Sequence, residues 1–324
     1  MRPVVAVLDS FDSDLDELAA KCASDDAGVR RVAMLELADM MEPEAVPLLL
    51  AGLRDADASV REAAAKALDE HDSVEIVGAL VAALEDPLES VRTVAAETLA
   101  EKKVAGSAHL LIERIDHADP FVRAAVLRAL RELTAPEALP AALRALRDQS
   151  PAVRREAVGV LGYLKADDAL PALMAVANDA DASVRRAVMS ALVFARPGGP
   201  GVSALLAGLH DAHWQVREQA AASIGKVRVG EAIGPLISTM NDESWQVRAK
   251  AANALGRICA VPAIPVLGEA LSHDVSNLRK EAAAALGEIA NPSALVFLEP
   301  AAGDPDPDVR KLVRWAIGRC QAAV

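Results

Sequence analysis

A block of apolar and polar positions recurs along this chain every 31 or 32 residues. Each block carries an arginine preceded by valine, or by leucine in one block. In the eighth block the apolar residues Val247, Ala251, Leu255 and Ile258 follow the spacing of an amphipathic helix. Repetition this regular predicts an array of similar structural units. The arginines that mark the blocks are Arg30, Arg61, Arg92, Arg123, Arg154, Arg185, Arg217, Arg248, Arg279 and Arg310.

Each block, numbered here as repeats 1 to 10, predicts a short helix followed by a long helix. The short helix often begins near a proline, which the first turn tolerates because its missing N–H has no partner there. The long helix follows an Asp or Ser four residues before the arginine, and both residue types cap helix N-termini. These candidate caps are Asp26, Asp57, Asp119, Ser150, Asp181, Ser244 and Asp306.

A second acidic column lies six residues before the arginine in most repeats. A planar guanidinium can hydrogen-bond carboxylates and turn carbonyls together. We therefore predict a structural ladder in which each arginine ties turns within or between neighbouring repeats. Ser24, His117 and His273 interrupt the column. Its acidic members are Asp55, Asp86, Asp148, Asp179, Asp211, Asp242 and Asp304.

A two-helix unit of 31 residues cannot bury its own apolar faces, so stacked units must share a core. The predicted fold is therefore an all-α solenoid of ten two-helix repeats, forming a single domain over residues 1–324. Repeats 1–6 span about residues 13–195 and repeats 7–10 about residues 202–322. The Pro/Gly-rich segment 196–201 between them breaks the helical pattern, as a longer turn or as a hinge.

The repeat closely resembles the HEAT-like repeats of the phycobilisome-lyase type. The pattern Ala-[Val/Leu/Ile]-Pro-x-Leu, then Asp-x-[Asp/Ser]-x-x-Val-Arg-x-x-Ala-Ala-x-Ala-Leu-Gly, appears most fully in residues 231–256 and 168–192. Residues 169–173 fit its first part and residues 242–256 its second part. This resemblance implies a right-handed superhelix with the long helices lining its concave side. The family includes scaffolds, bilin-attaching subunits and enzymes, so the resemblance implies fold more sharply than function.

Composition and charge narrow the classes of partner. Hydrophobic residues make up 52% of the chain and aromatic residues only 2%, so small aliphatic side chains must form the core. The net charge is −13, with −12 in residues 1–162 and −1 in residues 163–324. Such an acid surplus argues against nucleic-acid binding, which needs clustered Lys and Arg. It predicts instead a partner with a basic patch facing the N-terminal half.

Several sequence features bear on the compartment. No apolar run approaches the length of a membrane helix, and the N-terminus lacks the pattern of a secretory signal. Cys22, Cys259 and Cys320 lie far apart and form no CxxC motif. We therefore expect a cytoplasmic protein that does not bind membranes.

No catalytic constellation stands out, and we expect no enzyme activity and no cofactor. An iron enzyme of the resembling class carries its ligands in His-Glu dipeptides, and this chain has none. His210 and His213 could hold a metal beside Asp211, but Asp211 belongs to the acidic column and His213 to the cap position. A polar turn is the simpler interpretation, and a metal-dependent enzyme stays an alternative.

The leading hypothesis is a non-catalytic scaffold that holds a protein or peptide partner in a concave groove. Exposed long-helix positions vary from repeat to repeat, and all three tryptophans fall in the C-terminal third. Tryptophan is enriched in binding hot spots, although these residues could instead cover turns. A cofactor-handling accessory resembling bilin lyase subunits is an alternative, and we expect a monomer or weak end-to-end self-association. The predicted partner-binding residues are Trp214, Gln215, Trp245, Gln246, Lys250, Asn253 and Trp315.

Overall fold

The structure is a computed structural model that describes residues 14–40, 42–165, 167–194 and 198–323. Within these ranges all regular secondary structure is helical, and each ladder arginine lies on a long helix, as the periodicity predicts. The long helices of repeats 1 to 10 are Ala27–Ala38, Ala58–Ala67, Glu89–Glu101, Pro120–Leu133, Pro151–Leu164, Ala182–Ala191, Trp214–Val227, Trp245–Arg257, Ser276–Ile289 and Pro307–Gln321.

A short helix precedes each long helix, and in several repeats a 3-10 turn introduces it. In repeat 5 the turn Pro136–Ala138 leads into the short helix, and Pro140 occupies its first turn. Residues 14–22 are helical in repeat 1. The following short helices are Val46–Gly52, Val74–Ala83, Ala108–Ile112, Leu139–Ala145, Leu170–Ala175, Pro200–Gly208, Ile233–Thr239, Ile264–Ala270 and Leu295–Leu298.

Side-chain caps begin many of the long helices, as predicted. Asp57 accepts the backbone N–H of Ser59 at 2.8 Å, and Asp181 accepts that of Ser183 at the same distance. The cap predicted at Ser244 is wrong at the level of the side chain. Its hydroxyl donates instead to Gln246 Oε1 at 2.7 Å and caps no backbone N–H.

The predicted arginine ladder is confirmed, and it joins turns both within and between repeats. Arg30 Nε and Nη2 donate to the two oxygens of Asp55 in the next repeat at 2.7 and 2.8 Å. Arg30 Nη1 donates to the carbonyl of Ser24 in its own turn at 2.9 Å. Asp55 Oδ1 also accepts the N–H of Asp57, which fixes the following turn. The same pairing joins Arg61 to Asp86, Arg123 to Asp148, Arg185 to Asp211, Arg217 to Asp242 and Arg279 to Asp304.

The ladder lowers the pKa of its carboxylates, as Asp55 and Asp304 show. The hydrogen bond from Arg30 is the main cause that lowers the pKa of Asp55, and that from Arg279 acts likewise on Asp304. Both carboxylates are largely removed from solvent, so each pair is less screened than a surface ion pair. Each pair therefore stabilises the junction between two successive repeats.

The chain divides into two compact units, Met1–Leu164 and Lys165–Val324, and both are α-solenoid arrays. In unit 1 the core consists of aliphatic side chains such as Leu49, Leu80 and Leu127, which are almost wholly buried. In unit 2 Val216 and Leu255 are equally buried. The single domain over 1–324 stays a prediction, as does the break at 196–201. Residues 196 and 197 of that segment lie outside the described residues, and its last two residues begin the short helix Pro200–Gly208.

Glycine sets the spacing of the long helices in unit 2. A β-carbon on Gly225 would lie 2.9 Å from the Cα of Ala254, and one on Gly256 would lie 2.7 Å from the Cα of Ala285. Both glycines lie nine residues after the valine that precedes the ladder arginine of their repeat. The backbones therefore approach more closely than any side chain at this position would permit.

Candidate partner-binding site

Trp214 borders a cavity at the turn edge of unit 2. It is the first residue of the long helix of repeat 7, and 36% of its surface is exposed. The cavity has a volume of about 310 Å³, and Ala212, Arg217, Glu243 and Ser244 line it together with Trp214. An exposed indole thus stands beside polar groups from the turns of two successive repeats.

The ladder pair between Arg217 and Asp242 lies beside this cavity. Arg217 Nε and Nη2 donate to Asp242 at 2.6 and 2.9 Å, and Nη1 donates to the carbonyl of Asp211 at 2.9 Å. Burial alone would raise the pKa of Asp242, but the hydrogen bonds from Arg217 and from the N–H of Ser244 lower it overall. The pair is internally satisfied, so it supports the cavity without offering a free charge.

Trp245 occupies the equivalent position one repeat later, but its ladder arginine lacks a carboxylate. Arg248 Nη2 lies 2.8 Å from His273 Nε2, where other repeats place aspartate. His273 Nδ1 accepts the N–H of Val275 at 3.0 Å, copying the turn contact of the missing aspartate. Arg248 Nε is buried and has no hydrogen-bond acceptor among the described residues. The junction of repeats 8 and 9 is therefore incompletely satisfied.

Gln246, Lys250 and Asn253 share one face of the long helix of repeat 8, because they are separated by four and three residues. Lys250 is exposed and makes no hydrogen bond or ion pair within the described part of the chain. Asn253 Nδ2 donates to Glu281 Oε2 of repeat 9 at 3.1 Å. Lys250 is thus free to meet a partner, whereas Asn253 is already engaged between repeats.

Trp315 lies two repeats further along and is 45% exposed. A β-carbon on Gly287 would overlap its ring, so one face of the indole rests on the preceding long helix. Gln215 is half-buried in the first turn of repeat 7. The predicted residues therefore form a set along unit 2 and not a single pocket, since the cavity at Trp214 includes none of the others.

Four residues of the cavity wall were not among the predicted partner-binding residues, namely Ala212, Arg217, Glu243 and Ser244. Glu243 and Ser244 belong to the next repeat, so they join Trp214 only because the turns of stacked repeats meet. The incomplete junction at Arg248 had a visible signal in the sequence, since His273 stands in an otherwise acidic column.

His210 and His213 lie in a polar turn, as the simpler interpretation predicted. Both are exposed, and Asp211 between them is bound to Arg185 at 2.7 and 2.8 Å. Across the ranges described, no group of three or more His, Cys, Asp or Glu side chains is placed to hold a metal ion. In the same ranges, every helix is too short or too polar to cross a membrane.

The repeat pattern can now be compared with known families. The family model described as HEAT repeats matches residues 15–100, 76–149, 139–202, 202–279 and 264–322, which together span nearly the whole chain. The chain belongs to the HEAT repeat family. This match confirms the coarser part of the resemblance drawn from the sequence, that of HEAT repeats. No curated protein matches the chain.

Solved structures similar to this HEAT-repeat chain come from diverse sources. Yeast importin-β, Kap95p, is 15% identical with a TM-score of 0.72, covering 99% of this chain and 53% of its own. An engineered protein is 21% identical with a TM-score of 0.51, and the match covers 95% of this chain and 99% of the engineered chain. YibA of E. coli is 19% identical with a TM-score of 0.54, covering 92% and 97%. Identities this low show the fold alone, and this chain spans about half the length of importin-β.

One further match concerns Kap95p in a complex. It is 14% identical with a TM-score of 0.55, and it covers 92% of this chain and 48% of its own. Its title states that Kap95p binding induces the switch loops of RanGDP to adopt the GTP-bound conformation.

Proposed function

We propose that this HEAT-repeat protein is a non-catalytic scaffold that holds a protein or peptide partner on unit 2. The observation that carries the proposal is the exposure of Trp214 and Trp315 in a chain with only three tryptophans. An exposed indole loses little conformational entropy and buries a large area when a partner covers it. The cavity beside Trp214 offers a place where a side chain of the partner would enter.

The surface around these tryptophans suits a protein partner. Lys250 is an exposed cation with no partner among the described residues, and Glu243 supplies an opposite charge at the cavity wall. Mixed charge around aromatic anchors is typical of the polar rim of an interface. Kap95p, a neighbour in fold, is described in a complex with RanGDP, which is consistent with binding of proteins by this fold. We propose further that the partner lies in a concave groove on the side of the long helices.

Binding to unit 2 is tested by affinity capture with variant baits and quantitative mass spectrometry. We expect a partner captured by the wild-type chain to be lost by about tenfold or more with Trp214→Ala/Trp245→Ala, as for hot-spot residues. Phe194→Ala is the matched control, because Phe194 is an exposed aromatic of the same unit that lies outside the proposed site. Equal recovery with all three baits would contradict the proposal.

Three finer predictions from the sequence remain parts of this proposal. They are the phycobilisome-lyase subclass, the cytoplasmic compartment, and a state that is monomeric or weakly associated end to end. The chain shows HEAT repeats as a class, and this class includes more than one function.

A further inference from the structure

The positive charge of unit 1 gathers at its C-terminal end. Residues 1–119 contain 26 acidic and 11 basic residues, a net charge of −15. Residues 120–164 contain seven arginines and four acidic residues, a net charge of +3. Unit 1 therefore contains a short basic stretch beside a long acidic one, and its arginines need a physical explanation.

Arg131 is held across the next long helix in a defined position. Its Nη1 lies 3.4 Å from Glu156 Oε2, and its Nε donates to Glu132 Oε1 at 3.0 Å. A β-carbon on Gly159 would lie 3.2 Å from Arg131 Cδ, so this mid-helix glycine leaves room for the arginine stem. The guanidinium carbon stands 5.7 Å from the ring centroid of Tyr163, within the range of a cation–π contact.

Glu156 holds a second arginine. Arg155 Nη2 donates to Glu156 Oε1 at 2.9 Å, while the other oxygen of the carboxylate faces Arg131. Glu156 is buried, yet 44% of the Arg155 side chain is exposed. One buried carboxylate thus orients two guanidinium groups, and each keeps donors that this carboxylate does not use.

Arg128 lies one turn before Arg131 on the same long helix. It is exposed and makes no hydrogen bond or ion pair within the described part of the chain. Tyr163 is also exposed, with 52% of its surface open to solvent. Arg128, Arg131, Arg155 and Tyr163 are named here the arginine patch. Arg and Tyr are among the residues most enriched in binding hot spots.

We propose that the arginine patch is a second interaction surface, which binds an acidic segment of a protein partner. Carboxylates of that segment would pair with Arg128 and Arg155, and an apolar side chain would pack on the open part of Tyr163. Arginine suits this role because its planar fork binds carboxylates through two parallel hydrogen bonds. The surface is distinct from the tryptophan site of unit 2.

The charge of the neighbouring repeats favours a short acidic segment over a nucleic acid. The repeats that precede the arginine patch in unit 1 lie within residues 1–119, whose net charge is −15. Such a surface repels phosphate backbones, which are bound through extended clusters of Lys and Arg. A segment with a few carboxylates needs only the patch itself.

The test uses the full chain and a fluorescein-labelled hexaglutamate peptide, followed by fluorescence anisotropy at about 20 mM salt, where charges are weakly screened. We expect saturable binding that Arg128→Glu weakens by about tenfold, as the loss of a charged contact predicts. Arg147→Glu is the matched control, because Arg147 is an exposed arginine of unit 1 outside the patch that pairs with none of the described residues. It should weaken binding by less than about twofold.

Further variants separate this proposal from the others. Arg155→Gln should also weaken binding, while Trp214→Ala/Trp245→Ala should leave it unchanged, so failure here is distinguishable from failure of the unit 2 site. Circular dichroism checks that each variant is folded. The proposal is overturned if hexaglutamate does not bind, if Arg147→Glu has the same effect as Arg128→Glu, or if a single-stranded oligonucleotide binds more tightly. It is also overturned if Arg128→Glu abolishes self-association in sedimentation and has no effect on the peptide.

Discussion

The same position of the repeat serves opposite purposes in repeat 4 of unit 1 and in repeats 7 to 9 of unit 2. Counted nine residues on from the Val or Leu that precedes the ladder arginine, repeats 7, 8 and 9 have Gly225, Gly256 and Gly287, where neighbouring helices come into close contact. Repeat 4 of unit 1 has Arg131 at this position, and the opposing helix supplies Gly159 as the space for it. The core and the ladder recur in both units, so a single residue of the repeat can change from packing to surface chemistry.

This contrast distinguishes a constant framework from surface side chains that vary between repeats. The framework is the buried aliphatic core together with the arginine–aspartate junctions, which join the repeats in both units. The variable surface side chains include the tryptophans of unit 2 and the arginine patch of unit 1. Stability of such arrays is approximately a sum of repeat and nearest-neighbour terms, so each junction can be tested by itself.

The largest expected effect comes from the ladder, and it should be of similar size in both units. Asp55→Asn in unit 1 and Asp304→Asn in unit 2 should each lower the free energy of unfolding by about 2–3 kcal/mol, because each leaves a partly buried arginine without its carboxylate. Hydrogen exchange of the two flanking repeats measures the local cost, since an array need not unfold in one step. A loss confined to one unit would contradict a shared framework.

Acidification provides the control for these variants. The folded-state pKa values of Asp55 and Asp304 are lowered, so their stabilising effect is complete above the unfolded-state pKa of about 3.9. It is lost as the pH falls through their lower, folded-state pKa values. The two asparagine variants should therefore lose less stability than the wild type over this acidic range. Identical pH profiles would show that these carboxylates are not the titrating groups.

A smaller effect tests whether Gly225, which contacts the next helix, and Gly159, which lies opposite Arg131, have different roles. Gly225→Ala should cost about 1–3 kcal/mol, because its β-carbon would press on the backbone of Ala254, which cannot rotate away. Gly159→Ala should instead be neutral or stabilise by up to about 1 kcal/mol, because alanine favours helix and Arg131 is flexible. Urea unfolding of both variants measures the difference. Equal destabilisation would mean that Gly159 is a packing glycine like Gly225.

The smallest effect concerns the interrupted junction of unit 2. His273→Asp should stabilise the array by about 1–2 kcal/mol, because a carboxylate would accept the hydrogen bond of Arg248 Nε, which has no acceptor among the described residues. His210→Asp is the matched control, since it adds the same charge at an exposed position outside the ladder. Thermal unfolding of both variants is the measurement, and a gain no larger than that of the control would contradict the prediction.

The corresponding substitution in unit 1 should gain less. His117 Nε2 lies 3.5 Å from Glu85, so an aspartate at this position would face a like charge. Arg92, the ladder arginine before it, stands 5.8 Å from the ring centroid of Phe121. The two interrupted junctions therefore differ in their surroundings, although the repeat pattern makes them look equivalent.

The sequence by itself determined the repeat, its two helices, the arginine and aspartate positions of the ladder and most of the caps. These features follow from local spacing, because a residue type that recurs every 31 positions must recur in the same environment. Only the tertiary structure decided that the Ser244 hydroxyl donates to Gln246 instead of capping the backbone. It alone decided that Glu243 and Trp214 line the same cavity. It also decided that the Glu156 carboxylate contacts two arginines. Such contacts depend on how side chains of adjacent repeats meet in space, and the periodicity of one repeat carries no information about that.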